Sequence, residues 1–68
     1  MLVAFDSLPA SARVWIYQAG AMLNETQQGV IAERATAFCE QWTAHSQPLK
    51  ASFKILHGRF LILAVDES

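Results

Sequence analysis

Six consecutive residues, Phe60-Leu61-Ile62-Leu63-Ala64-Val65, are apolar whichever way their side chains point. Successive side chains on a strand face opposite sides, so a half-solvated strand alternates while a buried central one stays apolar throughout. The run is far too short to cross a bilayer, which takes about 20 residues as a helix. It predicts a central strand that needs a neighbour on each side and cover on each face. A stretch of 68 residues has few elements with which to supply all of these.

The residues just before it offer one neighbour. Lys50, Ser52 and Lys54 alternate with Ala51, Phe53 and Ile55, the pattern of an edge strand, and His57-Gly58 forms a two-residue turn. That turn predicts the register. Ile55 pairs with Phe60, Phe53 with Ile62 and Ala51 with Ala64 on the face meant for a helix. Lys54, Ser52 and Lys50 then lie opposite Leu61, Leu63 and Val65 on the other. The second neighbour is Arg13–Ala19, rich in β-branched and aromatic residues, with Val14 and Ile16 on one side and Trp15 and Tyr17 on the other. Before it, Asp6–Ala12 contains Pro9 and reads as turns.

A helix begins at Asn24. Asn24 is a good N-cap, Glu25 suits the positive helix end, and Gln27 stands where it completes a capping box. Ile31, Ala35, Phe38, Trp42 and His45 recur at helical spacing and predict the buried stripe, with Glu33, Thr36 and Glu40 opposite. The helix is expected to end near 44–46, ahead of Pro48. Gly29, on the polar side, weakens it by about 1 kcal/mol relative to alanine.

Together these elements predict an α+β fold, a split β-α-β unit plus hairpin. Its three-stranded antiparallel sheet has the order 1-3-2 and one long helix on one face, half of a ferredoxin-like arrangement. Residues 1–68 form a single domain, or the N-terminal part of a longer one. One helix covers one face only. Trp15, Tyr17, Leu61, Leu63 and Val65 are therefore expected on the face away from it, as an interface. With 53% hydrophobic and 16% charged residues, the chain is expected to cover that patch by homo-oligomerisation or with a protein partner.

Other classes are disfavoured. Five basic residues against six acidic ones give a net charge of −1, with no basic stripe for a phosphate backbone, so no nucleic-acid partner is expected. No segment is long and apolar enough for a membrane span. The N-terminus lacks a signal peptide's basic start and long apolar core, and Cys39 is the sole cysteine, which points to the cytoplasm.

The nearest thing to a chemical motif is Leu61–Glu67, an apolar strand ending in Asp66-Glu67. Such a strand end holds Mg²⁺ and polarises water in nucleotide hydrolases, but only beside a phosphate-binding loop, G-x-x-x-x-G-K-[ST], which this sequence lacks. Asp66 and Glu67 are kept as candidate ligand-binding residues. His45, His57 and Cys39 show none of the close spacings of a zinc site, so neither metal nor cofactor is expected. Cys39 has no histidine at a spacing that would activate it. No catalytic residue is assigned.

Leu8-Pro9, Ser11-Ala12-Arg13-Val14-Trp15-Ile16-Tyr17-Gln18-Ala19, Phe38 with Trp42, Ala44-His45, and Arg59-Phe60 with Val65-Asp66-Glu67-Ser68 resemble a small family of uncharacterised bacterial proteins. These often carry the label "ABC transporter ATPase". The resemblance spans nearly the whole chain and implies a longer protein that continues past Ser68. The main expectation is thus a non-catalytic self-associating or protein-interaction module. The alternative is a fragment of a nucleotide- or small-molecule-binding protein.

Overall fold

In the computed structural model, which describes residues 1–67, a short 3₁₀ turn at Phe5–Ser7 precedes β1 (Arg13–Gln18), α1 (Glu25–Gln41), β2 (Thr43–Ala44), β3 (Gln47–Pro48), β4 (Lys50–Leu56) and β5 (Phe60–Asp66). Ser68, the end of the Val65–Ser68 stretch, lies outside the described residues. The main sheet runs β1-β5-β4 with both pairings antiparallel. The strand that is apolar on both faces is therefore the central one. Two short strands were not expected: β2 and β3 form a separate two-stranded sheet. The strand inventory, and with it the order expected for a chain of three strands, is corrected accordingly.

α1 starts where its cap predicts. The Asn24 side chain accepts from the Gln27 N–H at 2.8 Å, and the Gln27 side chain accepts from the Asn24 N–H at 2.9 Å, so both halves of the capping box are present. The helix ends earlier than expected. Trp42 leaves helical geometry with φ −72° and ψ 118°, and its carbonyl accepts from the Leu49 N–H at 3.0 Å. His45 consequently sits in the β2–β3 turn, where it and Ser46 take left-handed φ values of 52° and 64°. It is no part of the helical stripe.

The stripe itself is rotated. Ala35 and Cys39 are the buried helix residues, whereas Phe38 is 53% exposed. Small side chains bring α1 close to the sheet, and Cys39 meets Ala51 and Val65 in a cluster with no solvent exposure. Trp15, Trp42, Leu49, Phe53 and Leu63 pack around that cluster. Trp42 lies 5.5 Å from Trp15 between ring centroids, a tilted contact that ties the end of α1 to β1.

The hairpin register differs by one residue from the expectation. His57 and Gly58 do form the turn, with φ 57° and 60°, closed by the Arg59 N–H donating to the Leu56 carbonyl at 3.0 Å. Yet the ladder pairs Leu56 with Phe60, Ile55 with Leu61, Phe53 with Leu63 and Ala51 with Val65. Arg59 is thus one extra residue on the second strand. A one-residue shift exchanges the faces of one strand relative to its partner. Ala51, Phe53 and Ile55 therefore share a face with Leu61, Leu63 and Val65, and β1 adds Trp15 and Tyr17 to it. This is the face α1 covers, which corrects the expectation that those β1 and β5 side chains lie away from the helix.

The opposite face carries Ser52, Lys54, Ile62, Ala64, Val14 and Ile16. Its β4 side is covered by the start of the chain. Val3 N–H donates to the Ala51 carbonyl and Ala51 N–H to the Met1 carbonyl, both at 2.9 Å, a parallel bridge along the outer edge of β4. The chain then turns so that the Lys54 ammonium lies 4.5 Å from the Phe5 ring centroid. Ser52 and Ala64 are buried there. The N-terminal ammonium donates to the carbonyls of Cys39 at 2.8 Å and Leu49 at 2.7 Å, and Glu40 accepts from the Leu2 N–H at 2.8 Å. Glu40 is therefore a tether for the N-terminus, not an idle surface residue.

Candidate contact surface on the β1 half

Cover on both faces lies toward β4, so both faces are bare toward β1. On the helix side, α1 sits over β4 and leaves a groove between itself and the β1–β5 half of the sheet. Tyr17, Ile31, Arg34, Ala35, Phe38, Leu61 and Leu63 line this groove of about 470 Å³. A second hollow extends it past Leu23 and Arg59, sharing Tyr17, Ile31 and Leu61. Tyr17 and Phe38 form the lips, each 53% exposed. Phe38 is held by Trp42, their ring centroids 4.9 Å apart. On the other face, Val14 is exposed and Ile16 is 67% exposed.

β1 is also an open edge. The Ala19 N–H donates to the Arg59 carbonyl at 2.8 Å. Backbone groups of alternate residues point to opposite sides of a strand, so Trp15 and Tyr17 bond to β5. Val14, Ile16 and Gln18 aim their N–H and C=O groups outward, and among the described residues no strand pairs with them. Natural edges of this kind are usually guarded by lysine, proline or a bulge. β1 carries Arg13 alone, stacked 5.2 Å from the Trp15 ring centroid and 3.4 Å from Glu67.

The residues expected at an interface are therefore divided. Tyr17, Leu61 and Leu63 line the groove. Trp15 is half-buried against Trp42, and Val65 is sealed in the core. Sequence reasoning missed Val14 and Ile16, although their place on the outermost strand, opposite no polar partner, was the signal that would have found them. It also placed Phe38 in the core because its helical spacing matches that of Trp42 and Ala35.

The acidic strand end lies elsewhere. Asp66 stands opposite Lys50 in the ladder, and Glu67 pairs with Arg13 at the solvent-exposed end of β1 remote from the groove. Neither joins the groove lining. Among the described residues no group of His, Cys, Asp and Glu gathers into a metal-binding cluster. Cys39 is buried, whereas His45 and His57 are exposed turn residues. Burial pushes the Cys39 thiol above its ordinary value of 9.0, the nearby N-terminal ammonium pulls it down and Glu40 pushes it up. A raised pKa leaves it a neutral thiol, the inert form. No helix among the described residues is long and apolar enough to cross a membrane. No protein-family model matches the chain, and no curated protein or solved structure matches it.

Proposed function

We propose that this chain is a non-catalytic interaction module whose β1 half is its contact surface. The observation that carries this reading is the lopsided cover. Both faces of the sheet are dressed over β4 and bare over β1, where an apolar groove lies beside an unpaired strand edge. Apolar surface gains about 25 cal/mol for each Å² removed from water, so a partner seated there adds affinity from the groove and direction from the edge. The β1-β5-β4 sheet with its single helix supports reading the fold as half of a ferredoxin-like arrangement. The test is sedimentation over a wide concentration range, together with binding of an apolar dye. Association, or dye fluorescence lost on Phe38→Lys, supports the module. A monomer that binds no dye overturns it.

The groove also favours a second reading, in which the chain belongs to a small-molecule-binding protein akin to the family labelled "ABC transporter ATPase". The Asp66-Glu67 strand end, which lies apart from the groove, is its nucleotide-directed element. That reading requires a melting temperature that rises with Mg²⁺ and nucleotide and no longer rises after Asp66→Asn. An unchanged melting temperature at millimolar ligand removes it.

A further inference from the structure

We infer that the occupant of the β1 edge is a second copy of this chain, paired antiparallel about a two-fold axis through Trp15. This rests on the reading of the β1 half as a contact surface and names its partner. The edge is self-complementary. A two-fold axis normal to a sheet keeps each face on its own side, so a residue meets one of its own parity in the other copy. Centred on Trp15, Val14 meets Ile16 of the second copy, and Ile16 meets its Val14. These are the residues whose N–H and C=O groups point outward. Each pair exchanges two backbone hydrogen bonds and buries the exposed aliphatic side chains of the face opposite α1.

Charge agrees with this register. Arg13 meets Tyr17 of the second copy, and no like charges stand opposite one another along β1. A net charge of −1 per chain gives little repulsion between copies. α1 packs mainly over β4, and only Trp42 at its C-terminal end reaches Trp15 beside the axis. Two sheets of the order β1-β5-β4 then become one continuous sheet, with the grooves facing each other across the axis.

The association also stops at two. On the far edge, Met1–Val3 already hold the Ala51 N–H and C=O, so a further strand cannot add along β4 without displacing them. Beyond Ala51 that edge carries Lys50 and Lys54, the usual guards of an exposed strand, so β1 is the edge left to pair and the assembly closes at two in place of a fibre.

Complementary charge variants test this. Val14→Lys with Ile16→Lys sets lysine against lysine across the axis, and Val14→Glu with Ile16→Glu sets glutamate against glutamate. Both side chains are exposed in the single chain. Wild type should sediment at twice 7.5 kDa, each double variant alone as a single chain, and their equimolar mixture again as a pair. Amide exchange on wild type gives an independent readout. Protection at Val14 and Ile16 should rise with concentration, while Trp15 and Tyr17 stay protected throughout. A wild-type monomer with unprotected Val14 and Ile16 at millimolar concentration overturns the proposal. If that monomer still binds dye in the groove, the contact-surface reading survives with a different occupant; if it does not, both fall. A pair that persists in both double variants overturns edge pairing and places the contact in the groove.

Discussion

The β4 half and the β1 half of this sheet are built from similar residues and end in opposite conditions. Over β4, Cys39, Ala51 and Val65 meet with no solvent exposure, and the start of the chain bridges the outer edge at Ala51. Over β1, Val14, Ile16 and Tyr17 are half or more exposed and the edge stands open. The cause is the size of the helix residues. Ala35 and Cys39 let α1 settle against Ala51, and a helix that settles there reaches β1 only at its C-terminal end, through Trp42 on Trp15. What a single helix leaves bare is thus one side of the sheet, not one of its faces.

Matched truncations sharpen the contrast most. Val65→Ala should cost about 2–3 kcal/mol, because the lost methyls leave a cavity where small neighbours have no room to collapse. Ile16→Ala, measured in dilute solution where chains stay apart, should cost under about 0.5 kcal/mol. Chemical denaturation of both variants checks this, and equal costs would break the comparison. Cys39→Ser should cost about 1–3 kcal/mol by placing a hydroxyl among apolar neighbours.

The thiol adds a pH dependence. Because burial raises its pKa, the folded chain keeps a proton that the unfolded chain releases. That contribution is fully present below 9.0 and is lost as pH climbs through and beyond it. Melting temperatures from pH 7 to 10 should fall less for Cys39→Ala than for wild type, once both are referred to neutral pH.

Smaller effects come from α1, the element that creates the contrast. Asn24→Ala removes one half of the capping box and should cost about 1 kcal/mol. Gly29→Ala should gain about 0.5–1 kcal/mol, since a methyl there meets nothing within 4 Å. For a domain of this size 1 kcal/mol moves the melting point by about 4–8 °C, so both are readable by thermal denaturation. Glu67→Gln, which breaks the exposed ion pair with Arg13, should change stability by less than about 0.5 kcal/mol.

Local signals in the sequence were legible where one residue type serves one local need. Asn24 with Gln27 marked the helix start, His57-Gly58 marked the turn, and the unbroken apolar run marked the central strand with antiparallel neighbours. Long-range consequences were not. Arg59 looks like any polar loop residue, yet as one extra residue it reverses which side chains share a face. Cys39 is a weaker hydrophobic signal than Phe38, but close packing selected for smallness and turned the stripe. Met1–Val3 form a single bridge with no strand-like pattern to announce it. The candidate contact surface depends on all of these, so its residues were identified only in part.

The seclusion of Cys39 has a practical consequence. The thiol lies under α1, beneath a carbonyl that the terminal ammonium grips. An alkylating reagent can reach it only when the helix lifts and the chain's first residue lets go. Its labelling rate in native buffer is therefore a built-in clock for the rare opening of the molecule. The single thiol lets that clock be read by mass alone, with no probe attached.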